Sequence, residues 1–320
     1  MRPIAPPRLE RGQTIGVVAP AGPVNPVRLA AGLARLGDAF RVKLAPTLER
    51  SLAESAFVRE PGVPSYLAAS DDTRAGELSA LLADPDVRAV VLARGGYGLM
   101  RILPRLDPSL VQRDPKPIVG FSDATALLGW AYAAGVRGIH GPMIAQLADL
   151  PDGDVVRLID ILTDPAPPGV RPWSLVAHGT GVYRGPLITA NLTLASMLVG
   201  TPWALPLAGA ITIFEEVGER PYELDRYMTQ LALTGALAQP AAIVLGDLTR
   251  CVDHHPPTGQ PDPADAAEAT ILERLRTAGI AAATGAPIGH GNRNEAVPFG
   301  ALALLDLDRA TLEITEGAVA

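Results

Sequence analysis

Short apolar runs alternate with amphipathic stretches through the first part of the chain, and this alternation constrains the fold more than any other feature. The run Thr14-Ile-Gly-Val-Val-Ala is closed by turn residues at 20–23, and apolar residues at helical spacing follow over 26–36. A further helix-strand pair covers 74–82 and 87–93. Such alternation is typical of a parallel sheet with helices on both faces.

The third strand of this pattern turns sharply into a helix. Lys116-Pro-Ile-Val-Gly120 is a candidate buried strand, and Ser122 stands between it and an apolar helix over 125–134. A turn of this kind lifts a serine hydroxyl off the carboxyl end of the sheet, where helix-start N–H groups face any developing negative charge. The pattern Gly-x-Ser-x-Ala is weak alone, and a simple helix cap at Ser122 or Asp123 is the alternative interpretation.

A glycine-rich segment, Arg94-Gly-Gly-Tyr-Gly98, follows the preceding strand, and we call this segment the glycine turn. Its backbone is expected at the same sheet edge as Ser122, and ligands bind at that edge in sheets of this type. Two adjacent glycines permit a conformation in which an N–H faces a tetrahedral oxyanion. An ordinary tight turn is the alternative.

The regular pattern weakens over 151–182, where prolines at 151, 165, 167, 168 and 172 interrupt any long element. A chain of 320 residues suggests about two domains. We therefore predict a first domain over 1–150, a proline-rich linker over 151–182 and a second, mixed domain over 183–320. Strands at 210–215 and 241–245 and helices at 192–199 and 222–233 are predicted in the second domain, whose topology the pattern leaves open.

Charge and cysteine content argue against several classes of partner. The formal net charge is −7, and Lys and Arg never gather into the basic stripe that phosphate backbones require. Cys251 is the single cysteine, which excludes an intramolecular disulfide. The amino terminus lacks an apolar stretch of secretory length, and the apolar run over 126–136 is too short to cross a bilayer. We expect a soluble cytoplasmic protein that binds neither nucleic acid nor membrane.

A serine nucleophile needs a base, and the base needs an orienting acceptor. His290 is flanked by glycines in Pro287-Ile-Gly-His-Gly-Asn, which suits a side chain held on a loop, although a purely structural histidine is the alternative. The apolar strand before Glu215 and Glu216 could supply the acceptor. Because neighbouring strand residues face opposite ways, at most one of these two acids can join a given site.

A metal site is the other chemistry that the histidines could supply. His254 and His255 are adjacent and lie near Asp253 and Asp247, but adjacent histidines point apart on a regular element. No third ligand stands at a recognisable spacing. We therefore predict no metal and no cofactor.

Taken together, these segments resemble the LD-carboxypeptidase family of serine peptidases, which includes the muramoyltetrapeptide carboxypeptidases and the microcin immunity peptidases. The resemblance spans nearly the whole chain. The motifs that carry it, in the family's order, are Ile15-Gly-Val-Val-Ala-Pro-Ala-Gly, Tyr66-Leu-Ala-Ala-Ser-Asp-Asp-Thr-Arg-Ala, Ala93-Arg-Gly-Gly-Tyr-Gly, Leu103-Pro-Arg-Leu-Asp, Val119-Gly-Phe-Ser-Asp-Ala-Thr-Ala-Leu, Gly200-Thr-Pro-Trp, Phe214-Glu-Glu-Val-Gly-Glu-Arg-Pro-Tyr-Glu-Leu-Asp-Arg-Tyr-Met and Ile288-Gly-His-Gly.

The resemblance implies an α/β enzyme with two domains and an active site between them. An amino-terminal parallel-sheet domain would carry Ser122 as the nucleophile. A carboxy-terminal, β-rich mixed domain would carry His290 as the base and Glu215 as its acidic partner. The turn at Gly95-Gly96 and the amide of Asp123 would form the oxyanion hole.

The resemblance also implies a substrate and an assembly. Members of the family release a terminal D-amino acid from an L-centre, typically D-alanine from a murein tetrapeptide during wall recycling. A peptide or muropeptide substrate and a homodimer are therefore implied. A microcin-immunity peptidase that cuts a peptide-nucleotide amide is the enzymatic alternative, and a small-molecule binding protein without hydrolysis is the alternative from another class.

Two departures from the family pattern bear on specificity. Thr189-Ala-Asn191 stands where relatives usually carry Gly-Gly-Asn, which puts a close approach of the substrate there in doubt. Leu99 replaces a small residue that often follows the glycine turn. Neither departure touches the proposed triad.

Overall fold

The computed structural model describes residues 2–256, 259–260 and 262–320. The chain divides into two compact units. Unit 1 comprises the chain through Ala166 together with Glu295–Phe299 and Gly317–Ala320, and unit 2 comprises Pro167–Asn294 and Gly300–Glu316. The chain therefore returns from unit 2 to unit 1 twice, so neither unit is one continuous segment.

The strands and helices are numbered in chain order. The strands are β1 (Thr14–Val18), β2 (Arg41–Leu44), β3 (Val87–Leu92), β4 (Ile118–Gly120), β5 (Gly138–His140), β6 (Gly169–Val170), β7 (Val176–His178), β8 (Val182–Asn191), β9 (Ile211–Val217), β10 (Ala242–Thr249), β11 (Ala282–Thr284), β12 (Val297–Phe299), β13 (Leu302–Asp306) and β14 (Thr311–Ile314). The helices are α1 (Pro26–Arg35), α2 (Pro46–Ala53), α3 (Asp71–Ala83), α4 (Leu99–Ile102), α5 (Ser109–Arg113), α6 (Thr125–Ala133), α7 (Ile144–Leu147), α8 (Asp152–Thr163), α9 (Leu192–Met197), α10 (Pro221–Leu233) and α11 (Ala266–Thr277).

Unit 1 is built on a six-stranded sheet with the strand order β12-β5-β4-β3-β1-β2. The pairs among β1 to β5 are parallel, and β12 joins β5 in the antiparallel sense. Strands β3, β4 and β5 are buried almost throughout, as expected for a parallel sheet covered on both faces. The carboxyl ends of β1, β3 and β4 therefore lie side by side at one edge of this sheet.

Side-chain caps account for the starts of two helices in unit 1. The Asn25 side chain accepts hydrogen bonds from the amides of Val27 and Arg28 and so caps α1. Ser70 caps α3 by accepting from the Thr73 amide. Each cap satisfies backbone donors that the helix itself leaves without a partner.

The segment 151–182 differs from the expectation that no long element forms there. It contains α8, a helix of 12 residues. Pro151 stands at the N-cap of this helix and Pro165 lies beyond its end, so the prolines bound the helix and do not interrupt it. Val155, Leu158, Ile161 and Leu162 form its buried face at helical spacing.

Unit 2 is built on an eight-stranded sheet with the order β6-β14-β13-β8-β9-β10-β11-β7. Strands β8 to β11 pair in parallel, whereas β13, β14, β6 and β7 add antiparallel pairs at the two sides. The helix α10 buries Leu224, Met228 and Leu231 at helical spacing. The predicted class is confirmed: an α/β protein with an amino-terminal, mostly parallel sheet and a carboxy-terminal, mixed sheet.

No helix in the part of the chain that the structure describes is long and apolar enough to cross a bilayer.

Candidate active site

Ser122 lies two residues beyond the end of β4, directly after Phe121, and has a backbone φ of +61°. A non-glycine residue in this left-handed region costs on the order of 1–3 kcal/mol and persists where the surrounding structure imposes it. Residues 122–124 form one turn of 3₁₀ helix that runs into α6. Ser122 thus occupies a strained strand-to-helix elbow, which exposes the hydroxyl at the carboxyl end of the sheet.

Neither Ser122 nor Asp123 acts as a conventional cap of α6. The residue at the N-cap is Ala124, and no side chain within the described chain accepts a cap hydrogen bond there. The Asp123 carboxylate instead accepts a hydrogen bond from the Leu99 amide at 2.8 Å. The cap interpretation therefore does not account for the polar residues at this elbow.

Small residues around the elbow make room for the turn. A Cβ added at Gly120 would lie 2.6 Å from the Cβ of Ala124, closer than two non-bonded carbon atoms approach in proteins. A Cβ added at Gly95 would lie 3.1 Å from the Cβ and 3.2 Å from the Oγ of Ser122. The glycine turn and the Ser122 side chain are therefore close neighbours within unit 1, and a side chain at position 95 would crowd the serine.

The loops after β1 and β3 meet beside Ser122, which itself follows β4. The amide of Gly22, in the loop after β1, donates to the carbonyl oxygen of Gly95, in the loop after β3, at 3.0 Å. Gly96 has a φ of +109°, which an L side chain rarely adopts. Parallel strands bring these loops to one edge, so the structure places the predicted turn at Gly95-Gly96 against the predicted elbow.

In unit 2, Glu215 and His290 are in hydrogen-bond contact. The distance between Nδ1 of His290 and Oε2 of Glu215 is 2.7 Å. The Glu215 side chain is fully buried in β9, whereas the His290 side chain is 20% exposed on a loop after β11. With the Nδ1 proton held by the carboxylate, the neutral imidazole carries its lone pair on Nε2, which suits a general base.

Glu216 faces away from His290 and joins a different network. Its carboxylate accepts from the Asn191 side chain at 2.8 Å, from the Thr193 amide at 2.8 Å and from the Thr193 hydroxyl at 2.7 Å. Asn191 also caps α9 by accepting from the Leu194 amide. Glu216 therefore links β9 to the start of α9. Its orientation opposite to that of Glu215 is the one expected for neighbouring residues of a strand.

Charges around His290 set its protonation. Burial acts to lower the pKa of His290, but the charge of Glu215 and its hydrogen bond act to raise it, with smaller contributions from other nearby acids. The net result is a pKa above the ordinary histidine value. Burial and the Glu215 charge together raise the pKa of Glu216.

The other four histidines lie in strands or loops of their own and take no part in the hydrogen bond between Glu215 and His290. His140 is buried in β5, with its ring 5.8 Å from that of Phe121, and His178 lies in β7 beside Thr284. His254 and His255 lie outside regular elements. Across residues 2–256, 259–260 and 262–320, no three His, Cys, Asp or Glu side chains are grouped so that they could hold a metal ion. Cys251 is buried, and burial raises its pKa to about 12.

Comparison with known proteins assigns the family. A family model described as the LD-carboxypeptidase N-terminal domain matches residues 15–141, and one described as the LD-carboxypeptidase C-terminal domain matches residues 184–305. The chain belongs to the LD-carboxypeptidase family. The resemblance predicted from the motifs is confirmed.

Relatives of this LD-carboxypeptidase family member align over most of their length. This chain is 33% identical over 258 residues to the murein tetrapeptide carboxypeptidase of Pseudomonas aeruginosa. The alignment covers 76% of this chain and 80% of the relative. The chain is 30% identical over 320 residues to a Bacillus subtilis protein named "Probable murein peptide carboxypeptidase", covering 98% of this chain and 94% of the relative.

Solved structures of two kinds share the fold. The muramoyltetrapeptide carboxypeptidase from Oxalobacter formigenes matches with a TM-score of 0.76 at 25% identity, covering 95% of this chain and 99% of that chain. The microcin C7 self-immunity protein MccF matches with a TM-score of 0.84 at 22% identity, and the match covers 99% of this chain and 100% of that chain. The second likeness shows the fold alone.

The roles of three buried side chains were not predicted from the sequence. Arg74 and the carboxylate of Asp123 lie beside the glycine turn, and Asn191 holds Glu216. Arg74 sits in a segment whose spacing predicts only an amphipathic helix. A long charged side chain at such a position is usually solvated, so periodicity alone gave no signal of its burial.

Proposed function

We propose that this protein is a serine LD-carboxypeptidase that hydrolyses an L,D-peptide bond and releases terminal D-alanine from murein tetrapeptides. The observation that carries the proposal is Ser122, which is held at a strained elbow with its side chain next to the glycine turn. The contact between Glu215 and His290 supplies the second part of a serine peptidase mechanism. The names of the two relatives support the choice of substrate.

In the proposed reaction, Oγ of Ser122 attacks the carbonyl carbon of the scissile bond while Nε2 of His290 accepts the hydroxyl proton. Glu215 stabilises the resulting imidazolium and keeps the ring in one orientation. Amide N–H groups of the turn at Gly95-Gly96 and of Asp123 donate to the oxyanion. The elbow supplies such a donor because it leads directly into a helix.

Collapse of the tetrahedral intermediate breaks the C–N bond. His290 returns its proton to the departing amine, and free D-alanine leaves an acyl group on Ser122. A water molecule then gives a proton to His290 and attacks the acyl carbon. The ester C–O bond breaks, His290 passes that proton to Oγ of Ser122, and the shortened peptide leaves with a new carboxyl group. No metal or cofactor takes part in these steps.

Incubation of the purified protein with murein tetrapeptides, followed by mass spectrometry, tests the proposal. We expect loss of one alanine residue from a tetrapeptide ending in D-alanine and no change in the matched peptide ending in L-alanine. A peptide-nucleotide conjugate of the microcin type serves as the second substrate. Turnover of the conjugate alone would favour an immunity peptidase, and turnover of neither substrate would contradict both enzymatic assignments.

A pair of neighbouring substitutions tests the acidic member of the triad. Glu215→Gln is expected to lower kcat by about 10³- to 10⁴-fold, since a neutral amide no longer stabilises the imidazolium. Glu216→Gln is expected to keep kcat within about tenfold, because it faces the other side of β9 and loses only part of a hydrogen-bond network. Steady-state kinetics measures both effects. The reverse ranking would transfer the role to Glu216.

A further inference from the structure

Two charged side chains that the proposed reaction does not use lie beside the glycine turn in unit 1. The side chains of Arg74 and Asp123 are each only 1% exposed. Burial of a charged group costs free energy unless the group is paired and hydrogen-bonded. The bonds that each side chain makes therefore indicate what it holds in place.

Arg74 binds backbone carbonyls from three separate segments. Its guanidinium donates to the Gly98 oxygen at 3.0 Å, to the Ala69 oxygen at 3.1 Å and also to the Pro20 oxygen. These carbonyls belong to the glycine turn, to the segment before α3 and to the loop after β1. Asp71, at the start of α3, completes the set by pairing with the guanidinium. The planar donor fork of arginine suits such multiple bonding, which lysine cannot reproduce.

Asp123 binds the residue that directly follows the same turn. Its Oδ2 accepts from the amide of Leu99, the residue directly after the turn, at 2.8 Å. Burial raises the pKa of Asp123 to about 6, and the Leu99 amide and the Arg74 charge act against that rise. The Leu99 amide and Arg74 thus favour the charged form of a carboxyl group whose charge burial disfavours.

We propose that Asp123 and Arg74 are positioning residues that fix the distance between the two amide donors of the oxyanion hole. One donor is the backbone amide of Asp123 on the elbow, and the other lies in the turn at Gly95-Gly96. The side chain of Asp123 links the two, because the residue that carries the first donor also holds the end of the turn that carries the second. The inference rests on the proposed function and deepens it.

The expected size of the effect follows from oxyanion geometry. Donors are effective at 2.7–3.1 Å from the developing oxyanion, and loss of one donor typically costs about 10²- to 10³-fold in kcat. A displacement of about 1 Å can cost on the order of 10² in rate. Loosening the turn should therefore act on kcat and leave KM nearly unchanged, since the donors act chiefly in the transition state.

Two substitutions at Asp123 separate positioning from a merely structural role. Asp123→Ala removes the acceptor for the Leu99 amide and is expected to lower kcat by on the order of 10², with KM within about threefold. Asp123→Asn retains an oxygen that can accept the same bond and is expected to stay within about tenfold of the wild-type kcat. Equal loss in both variants would overturn the role of the hydrogen bond.

Lys116 provides a matched control for Arg74. Its side chain is also fully buried in unit 1, and it donates to the carbonyls of Leu82 and Asp84, each at 2.6 Å, at the end of α3 away from the glycine turn. Arg74→Met and Lys116→Met are both expected to lower the midpoint of thermal unfolding. Only Arg74→Met is expected to lower kcat by on the order of 10² as well. An equal kcat in these two variants would contradict the proposal for Arg74.

Amide hydrogen exchange gives a readout that needs no substrate. In Asp123→Ala the amide of Leu99 is expected to exchange at least about tenfold faster than in the wild type, because its buried acceptor is gone. Unchanged exchange would overturn the link between the elbow and the turn. Unchanged kcat in Asp123→Ala, in assays where Ser122→Ala is inactive, would overturn the positioning role and leave the proposed function intact. An inactive wild type that shows the exchange difference would instead refute the proposed function.

Discussion

Ser122→Ala is expected to lower kcat on a murein tetrapeptide by on the order of 10⁶ without unfolding the protein. The hydroxyl is the proposed nucleophile, and neither of the other triad members can form the acyl intermediate in its place. Its removal opens little space, because Ser122 is only partly buried and differs from alanine by one atom. Alanine also accepts the same backbone at a similar cost.

Ser122→Gly is the companion variant for this experiment. Glycine adopts a positive φ without steric cost, so this variant is expected to be inactive but more stable than Ser122→Ala by about 1 kcal/mol. Kinetics and thermal unfolding, measured on both variants and the wild type, separate loss of chemistry from loss of structure. Activity of Ser122→Ala within tenfold of the wild type would sink the assignment of the nucleophile.

Local sequence was sufficient where an element is buried and regular. Strands β1, β3 and β4 are short apolar runs bounded by turn residues, and the structure places each within a residue or two of its predicted bounds. The elbow at Ser122 was visible because a strand signal and a helix signal stand almost back to back. The strain at φ +61° was not visible, since backbone dihedrals follow from the packing around the turn.

Elements with exposed or mixed surfaces were missed for physical reasons. Strand β2 was not predicted because the alternation in Arg41-Val-Lys-Leu44 covers only four residues, and no buried apolar run marks this largely exposed strand at the edge of the sheet. The helix α8 was hidden by the prolines that bound it. The order of strands in unit 2 depends on pairings between distant segments, such as β8 with β13, which a periodicity cannot report.

The candidate site likewise contains residues that the sequence could reveal and residues that it could not. Glycines near Ser122 and His290 mark positions where backbones approach closely, so the local sequence alone drew attention to these two residues. The choice of Glu215 over Glu216 needed the family resemblance, because both acids end the same strand. The role of Arg74 depends on carbonyls contributed by three segments, so only the folded chain brings it into view.

The pH dependence of kcat/KM is the second large effect that we expect. A His290 base must be neutral to accept the Ser122 proton, so activity falls as the pH is lowered. The charge and hydrogen bond of Glu215 hold the pKa of His290 above its ordinary value of about 6.5, so the acid limb is expected to have its midpoint above that pH. The same shift means that the pair stabilises the fold at low pH and that this contribution fades as the pH rises through the folded pKa.

Substitutions assign this limb to one histidine. His290→Ala is expected to remove the limb together with nearly all activity, whereas His140→Ala, His178→Ala and a double change of His254 and His255 are expected to leave it in place. Asp123 titrates in a neighbouring range, since burial raises its pKa to about 6, so Asp123→Asn is the control that tests whether this carboxyl contributes.

Glu215→Gln tests the cause of the shift, because loss of the carboxylate charge is expected to move the midpoint of the limb to lower pH in the activity that remains. The measurement is a pH-rate profile of kcat/KM, with circular dichroism across the same range to show that the fold is intact. A profile that is flat from about pH 5 to 8 would contradict a histidine base whose pKa is raised. A limb whose midpoint does not respond to Glu215→Gln would show that another group titrates, and the triad would then need a different base.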